Sequence, residues 1–284
     1  MTEPSSETES LRGRRALLAR YPAVTFLLPL FVFMAITSLE PKPPSSDEAN
    51  VAQEIDAQDI DAQEIDGGAD QDSSPLIAYR YYPCVYTAKI LLTLLAVWFV
   101  WPGYREFPWK VGPLAVAVGV VGAGVWIGLC QLDIEHTLLQ PALERAGLGW
   151  IIGSGDRSAF DPFDELSARP ILAYVFLTVR FFGLVAIVPV IEEFFLRGFV
   201  MRFCVDAEWS KVPFGKVNTA AVVAGTLVPM LMHPGELLAA AVWFSMVTWL
   251  MTRTKSIGDC IVAHAITNLL LGVYVVVFGA WWLM

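Results

Sequence analysis

Apolar residues in this chain fall in long blocks separated by short polar stretches, not at the periods of amphipathic helices or strands. Seven blocks stand out, at roughly 22–38, 82–101, 111–130, 170–200, 217–232, 236–252 and 257–282. A bilayer demands about 20 apolar residues for each helical crossing. The pattern therefore predicts an all-α protein, a polytopic transmembrane helical bundle of about seven spans.

Composition sharpens this reading. The chain is 56% hydrophobic and only 17% charged, with a mean hydropathy of +0.55, whereas about a quarter of a soluble domain is charged. The net charge of −9 comes mostly from one segment, and nothing in it points to nucleic acid. Residues 52–66 read AQEID-AQDID-AQEID. Such a run cannot bury apolar surface and repels itself, so a solvated, disordered linker is expected. Calcium binding would require a glycine turn and a ligand spacing that the repeat lacks.

Four segments follow. Residues 1–39 form a basic N-terminus and first span, and 40–79 the acidic linker. Residues 80–169 hold two spans and an extracytoplasmic loop, and 170–284 the remaining core. The first block follows Arg12, Arg14, Arg15 and Arg20 and lacks a small-x-small cleavage site, so an uncleaved anchor is expected. Basic residues mark the cytoplasmic side. A multi-pass protein of the cell (inner) membrane with a cytoplasmic N-terminus follows. Gly112, Gly119, Gly122, Gly124 and Gly128 in the third block suit close helix packing. Asp133, Glu135 and His136 read as solvated loop residues. The cysteines Cys84, Cys130, Cys204 and Cys260 are scattered and suggest neither a zinc site nor a disulfide framework.

Chemistry enters at the fourth block, which contains VPVIEEFFLRGF. A carboxylate at the centre of a membrane helix costs about 2.5–3.5 kcal/mol on insertion scales, and here two are adjacent. Glu193 precedes Arg197 by four residues, one helical turn, in the better orientation for an ion pair. Glu192 points about 100° away around the helix, and one turn from it lie only Val188 and Leu196. It is the better candidate for chemistry. The competing reading has both glutamates snorkelling to water at the helix end. Arg180, earlier in the block, reads as a structural or snorkelling charge.

Two of the three histidines lie in later apolar blocks. His233 ends the fifth, and His264 lies in the last with Asn268 four residues on, so an imidazole and an amide share one face. A glutamate and a histidine can activate water, and a His/Asn pair can donate to an oxyanion. Zinc held by the glutamate and histidines is the alternative, although no H-E-x-x-H is present.

The order Glu192-Glu193-x-x-x-Arg197, then His233, then His264-x-x-x-Asn268 resembles the CPBP family of intramembrane glutamic endopeptidases, which includes the CAAX prenyl proteases. The resemblance spans about residues 170–282, and the stretch RTKSIGDCIVAHAITNLLLGVY resembles the branch found with bacterial exosortase sorting systems. The resemblance implies that Glu192 and His233 activate water and that His264 and Asn268 form the oxyanion site. Glu193 and Arg197 would support the geometry, with no cofactor and no metal. It also implies a membrane-associated protein or peptide substrate within the lipid bilayer and an exosortase-type system as partner. The family has Phe four residues before its first histidine. This chain has Pro229, and a proline there can kink the helix.

The expected activity is hydrolysis of a peptide bond near the membrane surface. A catalytically silent scaffold or immunity-type protein is the alternative. An ion or proton pathway is a third class, disfavoured because no inverted repeats or paired half-helices are apparent.

Overall fold

A computed structural model describes residues 6–43, 77–147 and 160–283. The acidic repeat lies outside the described residues. Eight helices organise the rest: α1 Ser6–Arg20, α2 Val24–Thr37, α3 Tyr82–Tyr104, α4 Pro113–Gln131, α5 Pro170–Val205, α6 Thr219–Met232, α7 Leu237–Thr254 and α8 Ile257–Phe278. No strand occurs among the described residues, and the all-helical membrane bundle is the observed architecture.

Five of these helices, α3, α4, α5, α7 and α8, are long and apolar enough to cross a membrane. A sixth span results if α1 and α2 are taken together, although their axes are bent by 95°. The apolar block at 217–232 predicts a span, but α6 has only 14 residues. That is about 21 Å of helix, short of the roughly 30 Å hydrocarbon core. Asn218 caps its start by accepting from the Ala221 N–H at 2.8 Å. Its end comes at His233, where the backbone leaves the helical region (φ −128°).

Helix α8 packs along α4, α2 along α3, and α7 against both α4 and α6. Gly119 lets α4 approach α8, and Gly122 lets it approach α7. A Cβ on Gly119 would lie 2.8 Å from the Ala263 carbonyl oxygen, and one on Gly122 would lie 2.6 Å from Trp243 Nε1. Gly124 and Gly128 meet nothing within 4 Å, so the glycine pattern is a packing device over only part of its length. Tyr104 on α3 stacks on Phe194 of α5, their ring centroids 3.6 Å apart. That contact fixes α3 beside the glutamate pair.

Helix α5 is interrupted by two π-helical stretches, Gly183–Ile187 and Phe194–Val200, with Val188–Glu193 between them. Such wide turns are rare and often occur at functional sites. The first has a local cause. The Val188 N–H donates to the Gly183 carbonyl, a five-residue register. In that register the donor for the Leu184 carbonyl would be residue 189, which is a proline without an N–H.

Glu135 differs from its reading as a solvated loop residue. It is buried, and its carboxylate accepts from the backbone N–H groups of Leu237 and Leu238 at 2.9 and 2.6 Å. The start of α7 has orphan donors that need such an acceptor, and a carboxylate 102 residues away supplies it.

Candidate active site

Glu193 is fully buried, at 0% exposure. One carboxylate oxygen lies 2.8 Å from Arg197 Nη1, one turn further along α5. The other lies 3.0 Å from His264 Nδ1 on α8. An ionised carboxylate only accepts, so the Nδ1–H donates to it. Neither Glu193 nor Arg197 snorkels to water. Arg197 also donates from Nη2 to the Phe244 carbonyl on α7 at 3.3 Å.

With Nδ1 engaged, the free edge of the His264 ring is Nε2. It faces Glu192, whose Oε2 is 4.0 Å away. That gap is too long for a direct hydrogen bond and allows one molecule to bridge the two groups. Trp243 backs the imidazole, with ring centroids 4.5 Å apart. The Trp243 Nε1–H donates to Thr267 Oγ1 at 3.0 Å, and the one O–H of Thr267 is shared between the Gly119 and Ala263 carbonyls, 2.9 and 3.0 Å away. Gly122 of α4 thus makes room for the indole packed against His264.

Asn268 lies one turn beyond His264, as the spacing predicts. Its Nδ2 donates to the Leu184 carbonyl at 2.8 Å, the acceptor for which Pro189 offers no N–H. The amide carries two N–H donors, so one remains for a ligand.

His233 sits at the end of α6, and Pro229 does not displace it. The Pro229 carbonyl lies 2.9 Å from His233 Nδ1, which must therefore donate. In the neutral ring, Nε2 is then an acceptor. The ring packs edge-on to Trp126 and tilted against Phe244, with centroids 5.6 Å away in both cases.

Glu192, His233, His264 and Asn268 all line one cavity of about 400 Å³. They come from two helices and a helix end: α5, α8 and the α6 terminus. A larger cavity of about 1280 Å³ lies between α1, the end of α3 and residues 209–214, and none of the site residues lines it. Among the described residues, no group of three His, Cys, Asp or Glu side chains is arranged to hold a metal ion.

Residues 174–270 match a protein family described as type II CAAX prenyl endopeptidase, Rce1-like. This segment is a CAAX protease domain. It runs from within α5 to within α8 and contains Glu192, Glu193, Arg197, His233, His264 and Asn268. The match supports a membrane-embedded protease, a hydrolase, for the segment it covers. No curated protein and no solved structure matches the chain.

Sequence reasoning did not place the charged residues Glu40, Lys89 and Arg180 in this cavity. Arg180 was expected to be a structural or snorkelling charge, yet it is only 3% exposed and lines the same cavity as Glu192. Its presence inside an apolar block was the available signal. Its direction was not, because lipid-facing and cavity-facing sides of α5 are both apolar.

Proposed function

We propose that this CAAX protease domain hydrolyses a peptide bond with a water molecule activated by Glu192. The observation that carries the proposal is the 4.0 Å gap between Glu192 Oε2 and His264 Nε2, opening on a cavity that His233 and Asn268 also line.

The Glu192 carboxylate takes a proton from water as the oxygen attacks the peptide carbonyl. His233 orients that water through Nε2, because the Pro229 carbonyl already holds its Nδ1–H. Charge developing on the carbonyl oxygen is met by the Asn268 N–H and, when the ring also carries a proton on Nε2, by His264. Glu193 and Arg197 touch no reacting atom. They orient His264, with Glu193 holding its Nδ1–H as second-layer carboxylates commonly hold imidazoles. When the tetrahedral intermediate collapses, the C–N bond breaks and Glu192 returns its proton to the departing amine. No step is routed through a metal.

The test is cleavage of a quenched fluorescent peptide by purified protein in detergent micelles. Glu192→Ala should abolish turnover without changing the elution profile of the protein. Turnover at the wild-type rate in Glu192→Ala would overturn the proposal.

A further inference from the structure

Five charged or chargeable side chains other than His233 line the site cavity: Glu40, Lys89, Arg180, Glu192 and His264. Their charges are unevenly distributed. Lys89 Nζ lies 2.5 Å from Glu40 Oε1, so that pair is neutral as a unit. Glu192 faces His264 at one end. Arg180 stands apart from both. Its guanidinium makes one hydrogen bond, from Nη1 to the Phe160 carbonyl at 3.0 Å, and no carboxylate among the described residues lies within 4 Å of it.

A guanidinium that is 97% removed from solvent and has no carboxylate partner among the described residues is costly in a membrane protein. It carries five N–H donors in a planar fork suited to a carboxylate. One of them is used.

We infer that Arg180 is a specificity residue of the protease site, forming a subsite that takes a carboxylate of the bound peptide. This rests on the peptidase reading given above. Arg180 and Glu192 are 12 positions apart on one helical rod, about 18 Å at 1.5 Å per residue. An extended peptide advances about 3.4 Å per residue, so the carboxylate would sit about five residues from the scissile bond. The two ends of the cavity also orient the chain. Glu192 repels an anionic group and Arg180 attracts it, so the peptide enters in one direction. The carboxylate can come from the chain terminus or from an acidic side chain, and the chemistry at Arg180 is the same.

The probe is a lauroyl-capped octaalanine peptide, titrated into the full chain in detergent as the free acid and as the C-terminal amide. Cleavage of both is followed in parallel. The free acid should bind wild type roughly tenfold or more tightly than the amide, as expected for a charge-assisted hydrogen bond. Arg180→Met should bind both equally. Arg180→Lys, which keeps the charge and loses the fork, guards against a folding artefact and should retain part of the preference. An amidated peptide carrying one aspartate separates the sources: restored affinity identifies a side-chain carboxylate, and unrestored affinity a terminal one. Equal binding of acid and amide by wild type overturns the inference. So does Arg180-dependent binding of lysophosphatidic acid without any acid preference, which would make this a lipid phosphate site. Acid-selective binding without cleavage of any peptide upholds the subsite and sinks the peptidase reading alone.

Discussion

His264 Nδ1 lies 3.0 Å from Glu193 Oε1 across 71 residues of sequence. This contact joins the last helix to the glutamate helix and turns Nε2 toward Glu192. Through it the buried ion pair between Glu193 and Arg197 is joined to the candidate site.

Breaking that pair from one side should be severe. Glu193→Ala leaves Arg197 buried without its carboxylate, a change of about 3–5 kcal/mol in comparable buried pairs. Replacing both residues with methionine should restore much of the thermal stability measured in detergent. It should not restore peptide cleavage, because His264 still lacks the acceptor for its Nδ1–H. Recovery of cleavage in the double variant would show that the pair has no role in orienting the imidazole.

Asn268→Ala removes both the tether to the Leu184 carbonyl and the proposed oxyanion donor. By comparison with the loss of single oxyanion donors, kcat should fall on the order of 100-fold, with KM much less affected. Steady-state kinetics on a fluorescent peptide separate the two constants. A rise in KM alone would assign Asn268 to substrate binding.

Pro189 and Asn268 are linked through one carbonyl. Pro189→Ala supplies an N–H that the Leu184 carbonyl can accept in the five-residue register, in competition with Asn268. Activity should fall while thermal stability holds or rises, since an unfavourable helix residue has been removed. Unchanged kcat would mean that the amide does not depend on this tether.

Gly122→Leu should act on the site from behind. Even a Cβ there meets Trp243 Nε1 at 2.6 Å, and the indole is packed against His264. Overpacking of this kind costs about 1–3 kcal/mol. Both the thermal midpoint and the cleavage rate should drop, whereas Gly124→Leu, facing open space, should leave both near wild type.

Glu135→Ala offers a contrast, because its carboxylate caps α7 away from the reacting groups. A loss of about 1–2 kcal/mol in stability is expected, on the scale of helix-cap removals, with kcat unchanged at temperatures where the protein remains folded. A large fall in kcat would show that the start of α7 positions the cavity.

Local spacing made part of this site legible. Glu193 and Arg197 are one turn apart on a helix, as are His264 and Asn268, and helical geometry alone puts each pair on one face. The apolar blocks likewise specified a helical membrane bundle, because only helices satisfy their own backbone in lipid at that length. The count of spans was less secure, since an apolar block such as 217–232 does not reveal that capping at Asn218 and the break at His233 leave it only 14 residues long.

Tertiary structure decided everything that passes between helices. It set Glu193 against His264, Glu135 against the start of α7, Asn268 against the carbonyl opposite Pro189, and Arg180 into the cavity. In a soluble helix an apolar stripe would point to the packed side. Here lipid and neighbouring helices both present apolar surface, so the pattern carries no direction. Which face of each helix looks inward is set by close approach at small residues such as Gly119 and Gly122, and that becomes visible only when the helices are packed together.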